Sequence, residues 1–192
     1  MNVSRRFFLP LLLLVAGLQT AALGYIVVNR DHLLKNGREM VIQVQPLDPR
    51  DLFRGDYVIL GYPITQIAVA EGELPAGLEK GMTFYAVLKP SEGDNWTVAR
   101  ISTSYPADVS APDIVLRGRV QTIYPGADGK GHAVNARYGI ETYFVPEGEG
   151  KVIEKQVLEK SVKAIVAVGS DGEAALKGLI IDGVRSEHPP IF

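Results

Sequence analysis

The sequence predicts a mainly β protein with an α+β margin: an antiparallel β-barrel or sandwich with one soluble helix, preceded by an N-terminal transmembrane helix. Three observations predict it. Phe7 to Val28 contains no charged residue. From Glu39 onward, short apolar runs alternate with Gly, Pro and Asp, the punctuation of strands and turns. Beyond that point only Lys151–Lys160 carries a convincing helical stripe, with Ile153, Val157 and Leu158 on one side and Glu154 and Glu159 facing water.

The apolar segment comes first. At about 1.5 Å per residue its helix spans roughly 33 Å, enough for a bilayer core. Pro10 lies in its first turn, where a missing N–H costs least. As an uncleaved anchor it leaves residues 1–6 as a basic cytoplasmic tail and exports everything after Val28. As a cleaved signal it would end near Ala21-Ala22-Leu23-Gly24, but the apolar run continues through Tyr25-Ile26-Val27-Val28 and favours retention. Arg30, Lys35 and Arg38 on the far side weaken the charge asymmetry. Ser4-Arg5-Arg6-Phe7-Phe8-Leu9 is similar to a twin-arginine export signal, yet Pro10 stands where that signal has lysine, so a basic flank is the simpler reading.

Residues 29–38 form a polar juxtamembrane stretch that either continues the helix or makes a stalk. Residues 39–185 are the β-rich domain, and 186–192 a C-terminal tail. Met40, Ile42 and Val44 alternate with Val41, Gln43 and Gln45 as a half-buried strand. Pro46 to Arg54 is a loop closed by Gly55-Asp56. Tyr57 to Ile64 follows as a strand, with Val58, Leu60, Tyr62 and Ile64 on one face. Further strands are predicted at 83–89, 96–103, 114–124, 133–144, 162–168 and 174–181. Ser91-Glu92-Gly93-Asp94, Gly126-Ala127-Asp128-Gly129 and Gly169-Ser170-Asp171-Gly172 supply turns between them.

Composition removes several classes. The 192 residues are 46% hydrophobic and 22% charged, which excludes wholesale disorder. A net charge of −2 gives no clustered basic face for nucleic acid. With no cysteine there is no disulfide, thiolate metal site, catalytic Cys or lipidated N-terminal Cys. His32, His132 and His188 stand in unrelated contexts, and no metal or cofactor is expected. No P-loop, nucleophile elbow, dinucleotide fingerprint or zinc-protease motif occurs.

Two constellations could carry function. The first, Asp48-Pro49-Arg50-Asp51-Leu52-Phe53-Arg54-Gly55-Asp56-Tyr57, displays Arg50, Asp51, Arg54 and Asp56 beside Tyr57 and Tyr62. It could bind a polar ligand. The favoured reading is a strand-entry turn, with Gly55 at positive φ, Asp56 capping local N–H groups and Arg50 or Arg54 paired with Asp48 or Asp51, because Asp and Gly are ordinary turn residues. The second runs from Tyr138-Gly139-Ile140-Glu141 to Glu154. Its strand pattern puts Tyr138, Ile140, Thr142 and Phe144 on one face and Glu141 and Tyr143 on the other. The acids Glu141, Glu147, Glu149 and Glu154 do not have calcium-loop spacing. Glu147 and Glu149 stand just ahead of the predicted helix, where its dipole and unpaired N–H groups favour acids, so this motif reads as structural.

Gly55-Asp56-Tyr57-Val58-Ile59-Leu60-Gly61-Tyr62 resembles the Gly-Asp-Tyr-x-x-Leu-x-Tyr signature of the GDYXXLXY family of bacterial membrane-anchored proteins. The resemblance continues through Arg117-Gly118-Arg119-Val120, Tyr138–Glu154 and Leu176-Lys177-Gly178-Leu179, nearly the whole chain. It implies a single-pass protein of the bacterial inner membrane whose bulk is periplasmic or extracellular and whose activity is not established. Because family genes tend to lie beside those of multi-spanning membrane proteins, it also implies a non-enzymatic accessory or binding role with such a partner, besides the lipid bilayer at residues 7–28. The anchor followed by Pro, Gly-Asp and a strand is similar to type I signal peptidases as well, which would imply a membrane-bound hydrolase. Here Leu47 and Asp48 precede Pro49, so the serine nucleophile is missing, and Lys80 and Lys89 have none to serve.

Overall fold

The computed structural model describes residues 5–45, 57–126, 129–144, 153, 157, 159 and 162–187. Helix α1 spans Arg5–Asn36 and strand β1 Arg38–Gln43. Next come β2 (Tyr57–Ile59), a 3₁₀ turn (Pro63–Thr65), β3 (Gln66–Val69), β4 (Thr83–Pro90) and β5 (Trp96–Ser102). The remaining strands are β6 (Ile114–Pro125), β7 (His132–Arg137), β8 (Thr142–Phe144), β9 (Val162–Val168), β10 (Ala174–Ile181) and β11 (Val184–Glu187). The chain is mainly β and all its strand pairs are antiparallel.

Three sheets share one core. One has the order β1-β9-β10-β11, the second β3-β7-β6-β4-β5, and β2-β8 form a two-stranded ribbon. One of the sheets is nearly barrel-shaped. Gln43 N–H donates to Asp94 O at 3.1 Å and Trp96 Nε1 to Val41 O at 2.8 Å, joining β1 to the β4–β5 hairpin. On the other side Arg117 N–H donates to Gly172 O at 2.7 Å, joining β6 to the β9–β10 turn. Period-two patterning builds the interior. Met40, Ile42 and Val44 from β1 and its extension meet Phe84, Ala86 and Leu88 from β4, Leu116 from β6, and Val162, Ala164 and Val166 from β9.

Two sequence expectations are divided by the fold. The run 57–64 holds its alternation, with Val58, Leu60, Tyr62 and Ile64 all buried. The regular β2 strand nevertheless ends at Ile59, Gly61 makes only a single bridge to Gln45, and the chain turns through Pro63–Thr65 into β3. The run 133–144 breaks at Gly139, whose φ of 81° is open to glycine but not to most side chains. The break resets the pattern. Tyr138, Ile140 and Tyr143 are buried and Phe144 is exposed, so Tyr143 and Phe144 take faces opposite to those of an unbroken strand. β11 was not foreseen, and it carries the domain to Glu187. Of the predicted helix 151–160, residues 153 and 157 are helical with both side chains buried, and Glu159 is exposed.

The helix does not end at the apolar boundary. It runs on to Asn36 and locks to the sheet. Leu33 packs on Ala167 and Ala175, and Arg30 Nη1 donates to Ala174 O at 3.0 Å. A Cβ on Gly37 would lie 2.6 Å from Leu33 O and 3.1 Å from Ala167 Cβ, so only glycine lets the chain leave the helix this close to β9. Arg38 then donates to Asp113 O and Pro112 O, both at 2.7 Å. By contrast, Phe8 to Asn36 holds an apolar window with no burial against the domain, long enough to cross a membrane.

Candidate functional site

The two sequence motifs meet. Strand β2 pairs with β8 in the register Tyr57↔Phe144, Val58↔Tyr143 and Ile59↔Thr142. Leu60 N–H extends the ribbon by donating to Glu141 O at 2.8 Å. Tyr57 and Phe144 are partners at one end of the ribbon. Tyr57–Ile59 of the first motif and Thr142–Phe144 of the second are thereby paired, although they lie nearly 90 residues apart in the chain. Arg50, Asp51, Arg54 and Asp56, the loop 46–54, and Glu147 and Glu149 lie outside the described residues, and Tyr57 is described by its backbone position alone.

Beyond the other end of the ribbon, past Leu60 and Glu141, sits a reciprocal pair of buried tyrosines. Tyr62 Oη donates to Ile140 O at 2.8 Å, and Tyr138 Oη donates to Ile64 O at 3.1 Å. Each ring thus closes a backbone carbonyl that the break in strand pairing would otherwise leave unmet. Tyr62 is 2% exposed and Tyr138 5%, so both rings are core groups. Tyr62, foreseen beside the charged loop as a binding ring, instead faces inward. The Tyr138 ring is tilted against Phe84 with centroids 6.0 Å apart.

Glu141 organises the turn between them. Its carboxylate accepts Tyr138 N–H at 2.6 Å and Gly139 N–H at 2.9 Å, and Arg137 Nε lies 3.7 Å from it. A carboxylate in a two-donor cradle holds the positive-φ turn in place. Burial, and secondarily the Glu141 charge, push both tyrosine hydroxyls well above the ordinary phenol range. The folded state therefore disfavours phenolate, and the stability associated with these two groups is present below about pH 10 and lost as pH rises beyond it. In a 295 nm titration, Tyr62 and Tyr138 are expected to ionise only together with alkaline unfolding. A phenolate signal from either in the folded chain would contradict the buried pair.

Other groups raised by the sequence fall elsewhere. Lys80 and Lys89 are exposed, so neither has the desolvated amine that a serine–lysine dyad requires. His32 lies on α1 with Nδ1 3.1 Å from Asn36 Nδ2, whereas His132 begins β7. Sequence reasoning missed the role of Arg137, which cross-strand register sets opposite Arg119 of the Arg-Gly-Arg-Val block. Arg-x-Arg on a strand was the available signal, since alternate residues share a face.

No curated protein and no solved structure matches the chain. A family model described as GDYXXLXY protein matches residues 19–179, from within the apolar helix to the end of the β10 core. The chain belongs to the GDYXXLXY protein family.

Proposed function

We propose that this protein is a non-enzymatic binding subunit of a larger bacterial membrane-protein assembly. It is a single-pass protein of the inner membrane, with its β domain outside the cytosol. The observation that carries this reading is the unbroken helix locked to the domain through Leu33, Arg30 and Gly37. From Val28 to Asn36 the helix rises only about 12 Å. The domain is therefore held against the bilayer surface in a fixed attitude and has little freedom to sweep through solution. That geometry suits a partner in the same membrane better than a freely diffusing substrate. The charged Arg50–Asp56 block, which leads in sequence into β2, is the segment offered to that partner.

Cross-linking in intact membranes followed by mass spectrometry tests the reading. A multi-spanning protein should be recovered with the wild-type chain. Substituting Arg54 and Asp56 together by alanine should abolish recovery while leaving thermal unfolding within about 0.5 kcal/mol, as for surface residues generally. Undiminished recovery would remove the motif from the interface, and a large drop in melting temperature would make it structural.

A further inference from the structure

Arg117, Arg119 and Gln121 alternate along β6 and share the outward side of the sheet. Register sets Arg119 opposite Arg137 on β7 and opposite Thr83 on β4. Gln121 is the extra residue of a bulge between Val120 and Thr122, a device that re-aims side chains. These residues line a depression of about 350 Å³ with no carboxylate among its walls.

Its charges are not balanced. Arg117 is answered by Asp171 at 3.0 Å and Glu173 at 3.1 Å. Arg119 is exposed and has no hydrogen-bond or ion-pair partner among the described residues. Arg137 reaches Glu141 only at 3.7 Å, and that carboxylate already accepts two backbone N–H groups. Like charges directly opposite on a sheet destabilise it. A chain of net charge −2 thus keeps two poorly compensated arginines at paired register positions lining one concavity.

We infer that this depression is an anion site for a phosphoryl group, gripped by Arg119 and Arg137 with Thr83 and Gln121 as neutral donors. Guanidinium forks match phosphate oxygens two at a time. A phosphoryl group offers three oxygens and can accept from both guanidinium forks at once, whereas a carboxylate has only two. The phosphoryl group comes either from free phosphate or from a lipid headgroup. The site is independent of the proposed partnership, because it stands on β4, β6 and β7 and not on the Arg50–Asp56 block.

The test uses the full-length chain in nonionic detergent, titrated with inorganic phosphate against chloride at matched ionic strength. Phosphate should raise the melting temperature saturably, and Arg119→Gln and Arg137→Gln should each weaken binding by about tenfold or more. Without phosphate both variants should melt no lower than wild type, since each relieves a like-charge pair. Native mass spectrometry separates the sources. Anionic phospholipid retained by wild type and lost from the variants assigns a headgroup, and a phosphate response without retained lipid assigns the free ion. Equal responses in wild type and variants, or an equal response to acetate, would overturn the site.

Discussion

Tyr138→Ala is expected to lower the unfolding free energy by about 3–5 kcal/mol, the range for removing a buried aromatic ring. Three losses combine. The ring vacates space against Phe84 and beneath Gly118, where a Cβ would already lie 2.9 Å from Tyr138 Cε1. Ile64 O loses the Tyr138 hydroxyl, and the turn that carries Glu141 to Leu60 N–H loses its inner support. Tyr138→Phe separates the terms. It keeps the ring and deletes only the hydroxyl, so about 1–3 kcal/mol should be lost for one unmet buried carbonyl. Denaturant unfolding of the two variants, read beside wild type, checks both. Should the alanine variant unfold like wild type, the two motif segments would not be joined through this pair.

Much of the fold was legible because burial imposes a period that pairing does not alter. The strands 162–168 and 174–181 were predicted with the bounds they have, since both are nearly continuous apolar runs flanked by Gly-Ser-Asp-Gly. Val58, Leu60, Tyr62 and Ile64 lie inside as expected, even though hydrogen bonding to β8 stops halfway. Alternation fixes which side chains face the core; whether a strand partner is present is a tertiary matter that alternation does not encode. Gly139 illustrates the limit. One positive-φ residue reversed the faces of Tyr143 and Phe144, and a lone glycine in a strand pattern does not reveal whether it will bulge, turn or stay extended.

The unforeseen hairpin had a signal of another kind. β11 reads Val-Arg-Ser-Glu, all exposed, so no apolar period marks it. Asp182-Gly183 does, because both take positive φ, 50° and 82°, and Asp-Gly is a favoured two-residue hairpin turn. Charge then holds the edge. Glu39 accepts from Arg185 at 2.6 and 2.8 Å, and Arg185 also pairs with Glu187, which tethers β11 across β10 toward β1. Such contacts join residues 146 positions apart and leave no local trace. The candidate site divides in the same way. Its chemistry was visible as the motif residues. Its geometry was not, because bringing Tyr57–Ile59 against Thr142–Phe144 depends on long-range pairing of β2 with β8.

Leu14→Arg combined with Leu18→Arg is expected to move the protein from membrane to soluble fraction. Each exchange replaces a leucine, favourable by about 0.5 kcal/mol at a helix centre, with an arginine unfavourable by about 3 kcal/mol. Together they disfavour insertion by roughly 7 kcal/mol. Both positions are open to the surroundings, 65% and 68% exposed, and touch nothing in the β domain. The purified double variant should therefore keep the melting temperature of the wild-type domain. Carbonate extraction of membranes reads the first effect and circular dichroism the second. Leu33→Asp should show the opposite pattern, because that side chain sits past the apolar run against Ala167 and Ala175. It should remain in the pellet while loosening the helix from the sheet. A double arginine variant still recovered in the carbonate pellet at the wild-type level would mean that the apolar helix is not what holds the chain to the bilayer.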